Sequence, residues 1–191
     1  STLHILEYAR KNNIRVIYAG SSSVHGGAYK NPYTFTKWQG DKLCHMYSEI
    51  YKVNVNVCRF YNVYGPYELT EGEYCTVVGI FQKQYREGNP LTIVGNGEQR
   101  RDFTHIDDIV DGVIKSSEQP FRGEIFELGS GVNFSINEIA DMFGKDYPRE
   151  YIPARKGEYD RTLADYSLAH DMLDWTPSVD LSTYIKLVVG E

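Results

Sequence analysis

The sequence predicts an α/β fold in which helices cover a parallel sheet, and three observations lead to this class. Helical and buried-strand patterns alternate along residues 3–60, and an α-β-α-β order is typical of parallel strands joined by crossover helices. The chain has 191 residues, of which 41% are hydrophobic, which is enough for the core of one domain. Small and polar residues follow the first strand directly, and open α/β sheets have their sites at such strand ends.

The first part of the chain contains two predicted helices and two predicted strands. A helix over 3–12 carries its apolar residues on one face, and 15–19 is a buried strand that ends in a run of Gly and Ser. Asn31 is a good N-cap and Pro32 suits the first helical position, so a long helix should begin there. The Val-rich segment 53–60 forms the second strand.

The rest of the chain is predicted as a smaller mixed part. Ser135 and Glu138 have the spacing of a capping box, which predicts the start of a helix. The predicted helices are 77–87, 107–117, 135–143, one near 167–173 and one near 181–189; the predicted strands are 91–94, 103–105, 124–128 and one near 151–152.

Composition excludes several classes of protein. A net charge of −6 argues against the basic face of a nucleic-acid binder, and no apolar run reaches the roughly 18–20 residues that span a bilayer. The three cysteines form no C-x-x-C pair and the five histidines show no metal-ligand spacing, so no metal site is expected and a reducing, cytoplasmic compartment fits. The absence of a signal peptide and of an initiator Met indicates a fragment or a processed chain.

The strongest chemical pattern joins a Ser turn to a Tyr–Lys pair. Tyr33 and Lys37 are four residues apart and share one helix face. A Lys ammonium favours the phenolate form of a neighbouring Tyr, which can then act as general base on a substrate hydroxyl, while Ser21 relays the proton or binds the same oxygen. With 16 Tyr in the chain, chance alone yields about one Y-x-x-x-K pair, so a surface pair is the alternative. The order of strand, Ser turn and capped helix favours a catalytic site over a surface pair.

Five segments, in order along nearly the whole chain, resemble motifs of the extended short-chain dehydrogenase/reductase family. The similarity is greatest to its nucleotide-sugar epimerases and dehydratases, in particular to 4-epimerases of UDP-glucose and UDP-galactose. The segments are 16–26 with 31–37; 59–66, which resembles R-x-x-N-x-Y-G-P; 95–108, which resembles G-x-G-x-x-x-R-D-F-x-x-V-x-D; 126–131, which resembles N-x-G-x-G; and 155–158, 164–165 and 173–177, which resemble R-P-G-D, A-D and L-G-W-x-P.

The resemblance implies a fold with two parts. Residues 1–66 would form the C-terminal half of a Rossmann-type, doubly wound parallel sheet that binds NAD and carries the catalytic Ser, Tyr and Lys. Residues 67–191 would mainly form a smaller α+β part that binds the nucleotide sugar, with 103–130 returning to the first sheet. A homodimer through helices 38–50 and 77–88 is also implied.

The resemblance also implies a role for each matching residue. Tyr33 would be the catalytic base, Lys37 its partner and Ser21 the third catalytic residue. NAD is the implied cofactor, with NADP as the alternative, and its contacts would be Tyr33, Lys37, Ala19, Gly20, Phe60 and Val63. The implied substrate is a nucleotide-diphosphate sugar, most closely a UDP-sugar, held by Ser22, Ser23, Asn62, Arg101, Arg155 and Glu158.

Among the reactions of the family, 4-epimerisation through a transient 4-keto sugar fits these residues best. Dehydratases follow the catalytic hydroxyl with an acidic pair, and here Ser22 and Ser23 occupy those positions. The alternatives are a 4,6-dehydratase or a decarboxylase of the same family, and a non-catalytic fragment that binds nucleotides or serves in assembly.

Three departures from the family pattern stand out. His25 replaces the usual Tyr, and the 12 residues from Ser21 to Tyr33 make a shorter connection than is usual in the family. No G-x-G-x-x-G or G-x-x-G-x-x-G run occurs. Because such a glycine turn seats the dinucleotide pyrophosphate at a helix N-terminus, the chain is expected to lack roughly the first third of the family fold and, by itself, to be weakly active or inactive.

Overall fold

Helices alternate with short strands along residues 1–72, 74–119, 123–154 and 160–190, which the computed structural model describes. The helices are α1 (Thr2–Asn12), α2 (Pro32–Tyr51), α3 (Val77–Glu87), α4 (Ile106–Glu118), α5 (Ile136–Met142), α6 (Ser167–Leu173) and α7 (Leu181–Val189). The strands are β1 (Val16–Ser21), β2 (Val55–Phe60), β3 (Asn62–Tyr64), β4 (Leu91–Val94), β5 (Arg100–His105), β6 (Ile125–Leu128), β7 (Asn133–Ser135) and β8 (Arg149–Ile152). A 3-10 helix, Ser22–Gly26, follows β1.

The first sheet is parallel and has the order β1-β2-β6. Its register aligns Ser21 with Phe60, and Phe60 with Leu128. The carboxyl ends of the strands therefore meet at one edge, which is where α/β sheets of this kind have their sites.

Helices cover both faces of this sheet because β2 is apolar on each side. Val55 and Val57 belong to a core under α1 and α2, whereas Cys58 belongs to a core under α4 and α6. The first core also contains Leu6, Ala9, Cys44, Tyr47 and Val53; the second contains Ile109, Phe126, Leu128, Ala169, Leu173 and Trp175. A strand buried on both faces is typical of parallel α/β sheets, so the predicted doubly wound class is confirmed.

A further core lies among α3, α5 and α7 and the remaining strands. In the described part of the chain, these strands form a sheet of order β3-β5-β7 and a parallel pair, β4-β8. The core residues are Tyr64, Val78, Phe81, Leu91, Ile93, Phe103, Ile136, Ile139, Ala140, Phe143, Leu181 and Ile185. This part supplies the second wall of the candidate site.

The differences from the predicted elements concern short strands. β3 and β7 are three residues each, too short to show a periodic pattern, and neither was predicted. β5 begins before the predicted 103–105 strand, because Arg100 and Arg101 already pair with β7. The capping box at Ser135 and Glu138 is present, with both side-chain-to-backbone hydrogen bonds formed.

No helix in the described ranges combines the length and the apolar character that a membrane-crossing helix requires.

Candidate functional site

The carboxyl end of β1 leads into three consecutive serines. Ser21 ends the strand with an extended backbone and caps the 3-10 helix that contains Ser22 and Ser23. The Ser23 backbone N–H donates to Ser21 Oγ at 3.3 Å, and the Ser21 hydroxyl donates to Ser23 Oγ at 3.0 Å. The turn therefore holds the Ser21 and Ser23 hydroxyls together at the sheet edge.

The first two turns of α2 carry the predicted base and its partner. Asn31 caps the helix through its side chain, and Tyr33 and Lys37 follow one turn apart on the same face. The Lys37 ammonium donates to the Ala19 carbonyl oxygen at 2.9 Å and lies 5.9 Å from the centre of the Tyr33 ring. Tyr33 is 57% exposed, so a ligand can reach it. Lys37 thus links Tyr33 to the strand that ends in Ser21.

The remaining predicted cofactor residues lie along neighbouring strand ends. Gly20 pairs with Arg59, and a Cβ at Gly20 would lie 2.9 Å from Arg59 Cγ, so no side chain fits there. Phe60 is aligned with Ser21, while Val63 follows on β3; both are half-buried and pack on the core under α4 and α6. Gly20 and Phe60 thus lie at the carboxyl end of the first sheet, and Val63 follows just beyond it on β3.

A cavity of about 410 Å³ opens between the start of α3 and strands β4 and β5. Asn62 and Arg101, both predicted substrate residues, line it. Asn62 Nδ2 donates to the Asp102 carbonyl at 3.2 Å, and Arg101 Nη1 donates to the Arg100 carbonyl at 2.9 Å. Its other lining residues include Cys75, Thr76, Ile80, Val94, Gln99 and Phe103. The cavity therefore combines an apolar wall with amide, hydroxyl and guanidinium groups.

The strand end and the cavity adjoin through a short stretch of chain. Phe60 is aligned with Ser21, and Asn62, two residues later, lines the cavity. Two residues span at most about 7 Å, so one extended ligand can reach both places. Two further predicted substrate residues, Arg155 and Glu158, lie outside the described residues.

The sequence did not identify Cys75, Thr76 or Gln99 as cavity residues. The sequence pattern at Cys75 and Thr76 is only a polar, irregular stretch before a helix. In the structure, Thr76 is the N-cap of that helix, and its side chain accepts a hydrogen bond from Gly79 N–H. Gln99 carried no signal, because it becomes a lining residue only when β5 and α3 pack together.

Asp102 organises the backbone behind the cavity. Its carboxylate is fully buried and accepts hydrogen bonds from the backbone N–H groups of Ser130, Gly131 and Ala164 at 2.8–2.9 Å. Burial raises the pKa of Asp102, and these hydrogen bonds act in the opposite direction. Asp102 follows Arg101 on β5, so this buried carboxylate fixes the strand that presents the guanidinium.

A second charged group lies beneath the serine turn. Arg59 donates from Nε and Nη2 to Asp41 Oδ2 at 2.9 and 2.8 Å, and from Nη1 to Glu127 Oε1 at 2.8 Å. Its guanidinium thus joins α2 to β6 across the end of the first sheet. The Asp41 side chain is 2% exposed, so this pairing takes place almost entirely out of water.

Known proteins of one family resemble this chain in sequence and in fold. A model of the NAD dependent epimerase/dehydratase family matches residues 1–129. UDP-glucuronate 4-epimerase from Thermodesulfobacterium geofontis is 33% identical over 207 residues, which include 99% of this chain and 62% of that protein. The chain spans only 60% to 62% of the length of three curated relatives that it matches.

Two solved structures are similar throughout the chain. UDP-glucose 4-epimerase from Thermotoga maritima, solved with UDP-glucose, has a TM-score of 0.88 and 28% identity, over 99% of this chain and 67% of that one. UDP-glucuronic acid 4-epimerase from Bacillus cereus, solved with UDP-glucuronic acid and NAD, has a TM-score of 0.86 and 31% identity, over 99% and 65%. Because the family model covers well over half of the sequence, this chain belongs to the NAD dependent epimerase/dehydratase family.

Proposed function

We propose that this chain carries the catalytic residues and the nucleotide-sugar site of an NAD-dependent 4-epimerase that acts on a UDP-sugar. The observation that carries the proposal is the Lys37 ammonium, held on the Ala19 carbonyl 5.9 Å from the exposed Tyr33 ring at the strand end that also bears Ser21. A cation beside a phenol stabilises the phenolate, which is the base that the reaction needs.

In the proposed mechanism, Tyr33 accepts the proton of the sugar C4 hydroxyl. Before the transfer, Lys37 stabilises the phenolate form of Tyr33, and Ser21 donates a hydrogen bond to the reacting oxygen. NAD held at this strand end by Lys37 and its neighbours would supply the reversible acceptance of hydride at C4 on which inversion through a 4-keto sugar depends. Tyr33 then gives its proton back to the C4 oxygen, so the product is the C4 epimer with the same atoms.

The donor set at the strand end fits the nicotinamide ribose of NAD. Lys37 donates one hydrogen bond to Ala19, and an ammonium has three protons, so donors remain for ribose hydroxyls. Gly20, Phe60 and Val63 border the same place and are proposed as further contacts. NADP remains the alternative cofactor of the proposal.

The cavity is proposed to hold the nucleotide. Its volume of about 410 Å³ lies in the range of small-molecule sites, roughly 300–1,000 Å³. Arg101 suits a diphosphate because a guanidinium donates two parallel hydrogen bonds to phosphate oxygens, and Asn62 offers an amide beside it. Arg155 and Glu158 are proposed as additional nucleotide contacts on the strength of the family resemblance.

The proposal favours epimerisation over elimination of water because of the serine turn. Ser22 and Ser23 follow the proposed catalytic Ser21 inside the 3-10 helix. A hydroxyl with its ordinary acidity is a poor general acid or base at neutral pH, whereas dehydration at C5 and C6 needs both. Ser22 and Ser23 are therefore proposed as contacts to the sugar.

We also propose that the protein is cytoplasmic and forms a homodimer. α2 packs on α1 and leaves Met46, Ile50 and Tyr51 exposed, which supports α2 as a contact surface. α3, the other helix of the predicted interface, buries Val78 and Phe81 in its own core.

Titration calorimetry with UDP tests the nucleotide site. The unmodified chain is expected to bind one UDP, and Arg101→Ala is expected to weaken binding by about tenfold or more, because a charge-assisted bidentate contact is lost. The matched control is Arg15→Ala, since Arg15 is exposed and precedes the amino end of β1, away from the strand ends. Equal effects of the two substitutions, or no UDP binding by the unmodified chain, would contradict the proposal.

Thiol reactivity provides a second test. Burial raises the pKa of Cys44 to about 12 and that of Cys58 to about 11, so both stay protonated and unreactive at pH 8. Cys75 is half-buried and lines the cavity. Iodoacetamide should therefore alkylate Cys75 first in the native chain, and saturating UDP should slow that reaction. Peptide mapping by mass spectrometry identifies the modified residue; alkylation of Cys75 at the same rate with and without UDP would count against a nucleotide in this cavity.

A further inference from the structure

The His25 imidazole contacts two residues outside its own 3-10 helix, Glu127 and Tyr61. His25 Nε2 is 3.0 Å from Glu127 Oε1 on β6, and its ring stacks on Tyr61 with 6.4 Å between ring centres and 27° between ring planes. Tyr61 is buried, and its hydroxyl donates to Glu127 Oε2 at 3.1 Å. His25 therefore contacts both the carboxylate and the ring that supports that carboxylate.

Glu127 is held as a carboxylate by its neighbours. Burial alone would raise the pKa of Glu127, but hydrogen bonds from His25 and Arg59 bring it below its usual value. Arg59 is itself fixed to Asp41 on α2. The acceptor that His25 contacts is therefore a rigid anion, because three side chains bind it from different elements.

His25 is the part of this network that reaches the serine turn. It lies in the 3-10 helix Ser22–Gly26, whereas Glu127 and Tyr61 belong to the sheet and to the link between β2 and β3.

We propose that His25 is a positioning residue for the sugar end of the site. By tying the 3-10 helix to Glu127, it keeps Ser22 and Ser23 in place toward the sugar. The inference rests on the proposed function, in which these serines contact the sugar while the nucleotide occupies the cavity lined by Asn62 and Arg101.

Two substitutions separate the hydrogen bond of His25 from its ring packing. His25→Phe keeps an aromatic ring over Tyr61 but removes the donor to Glu127. His25→Gln removes the ring but offers an amide N–H where Nε2 was. The matched control is His45→Gln, because His45 is also paired with a glutamate, Glu49, at 3.4 Å, but on the exposed surface of α2.

Calorimetry with UDP, UDP-glucose and UDP-glucuronate measures the sugar end separately from the nucleotide end. His25→Phe should weaken binding of whichever UDP-sugar binds more tightly by about tenfold, since a hydrogen bond to a charged group is lost. Its affinity for UDP should stay within about twofold of that of the unmodified chain. His25→Gln should restore affinity for that UDP-sugar to within about twofold of the unmodified chain, and His45→Gln should change neither ligand.

Each other outcome has a distinct meaning. If His25→Phe weakens UDP and the UDP-sugar equally, or leaves both unchanged, His25 does not position the sugar site and the inference is wrong. If the unmodified chain binds UDP but gains no affinity from either sugar, the serine turn makes no sugar contact and the inference is wrong, whereas the nucleotide site stands. If it binds no UDP at all, the proposed function itself fails.

Discussion

Replacing Tyr33 with Phe is expected to reduce kcat for C4 epimerisation by about 10²–10⁴-fold, the contribution of a positioned general base. Phe keeps the ring beside the Lys37 ammonium but lacks the hydroxyl that exchanges the proton. UDP affinity should stay unchanged, because Tyr33 is not among the residues that line the cavity. The rate is measured as conversion of UDP-glucose or UDP-glucuronate to the C4 epimer at saturating NAD, because a chain without the glycine turn is expected to bind NAD weakly.

The control for this substitution is Tyr29→Phe. Tyr29 precedes α2 and is 82% exposed, and its ring contacts Phe35 and Trp38 rather than Lys37. It should keep the full rate. A Tyr33→Phe chain that retains more than about a tenth of the rate would remove Tyr33 from the role of base.

Replacing Arg59 with Leu is expected to lower the free energy of unfolding by about 3–5 kcal/mol, because it leaves buried carboxylates without their cation. Asp41 is 2% exposed and Glu127 is 16% exposed, so water cannot replace the guanidinium at Asp41 and replaces it only in part at Glu127. Asp41 Oδ1 finds no hydrogen-bond partner within the described ranges, and losing the pairing at Oδ2 would leave the whole carboxylate unsatisfied. Urea unfolding followed by far-ultraviolet circular dichroism measures the change.

Arg10→Leu is the matched control for Arg59→Leu. Arg10 also pairs with a carboxylate, Glu7, at 2.9 Å, but on the exposed side of α1. Solvent screens such a pair, so its loss should be small compared with the loss of Arg59. If the two variants unfold at the same urea concentration, the Arg59 network contributes no more than a surface pair.

The elements that the sequence predicted well are those with a local cause. Asn31 and Pro32 specify the start of α2 through capping and a preset φ, and this brings Tyr33 and Lys37 onto one helix face whatever the tertiary fold. The strands at 15–19 and 53–60 could also be predicted from the sequence, because Val and Ile recur where both faces of a parallel sheet are covered.

The supporting contacts of the site could not be read from the sequence, because their partners are distant along the chain. Arg59 and Glu127 are 68 residues apart, and Asp102 binds Ala164 across 62 residues. A charged residue in a strand pattern indicates neither its partner nor its burial until the strands are assembled. For the same reason the Arg101 role rested on the family resemblance, whereas its cavity became visible only with α3 packed over β4 and β5.

The identity of the reaction product tests the central claim most directly. Incubation with NAD and UDP-glucose or UDP-glucuronate in D₂O, followed by NMR and mass spectrometry, distinguishes the reactions of the family. The account predicts a C4 epimer of unchanged mass with no deuterium on the sugar carbons, because Tyr33 exchanges only the hydroxyl proton and hydride returns to C4. A product that has lost water or carbon dioxide, or that carries deuterium at C5, would contradict it.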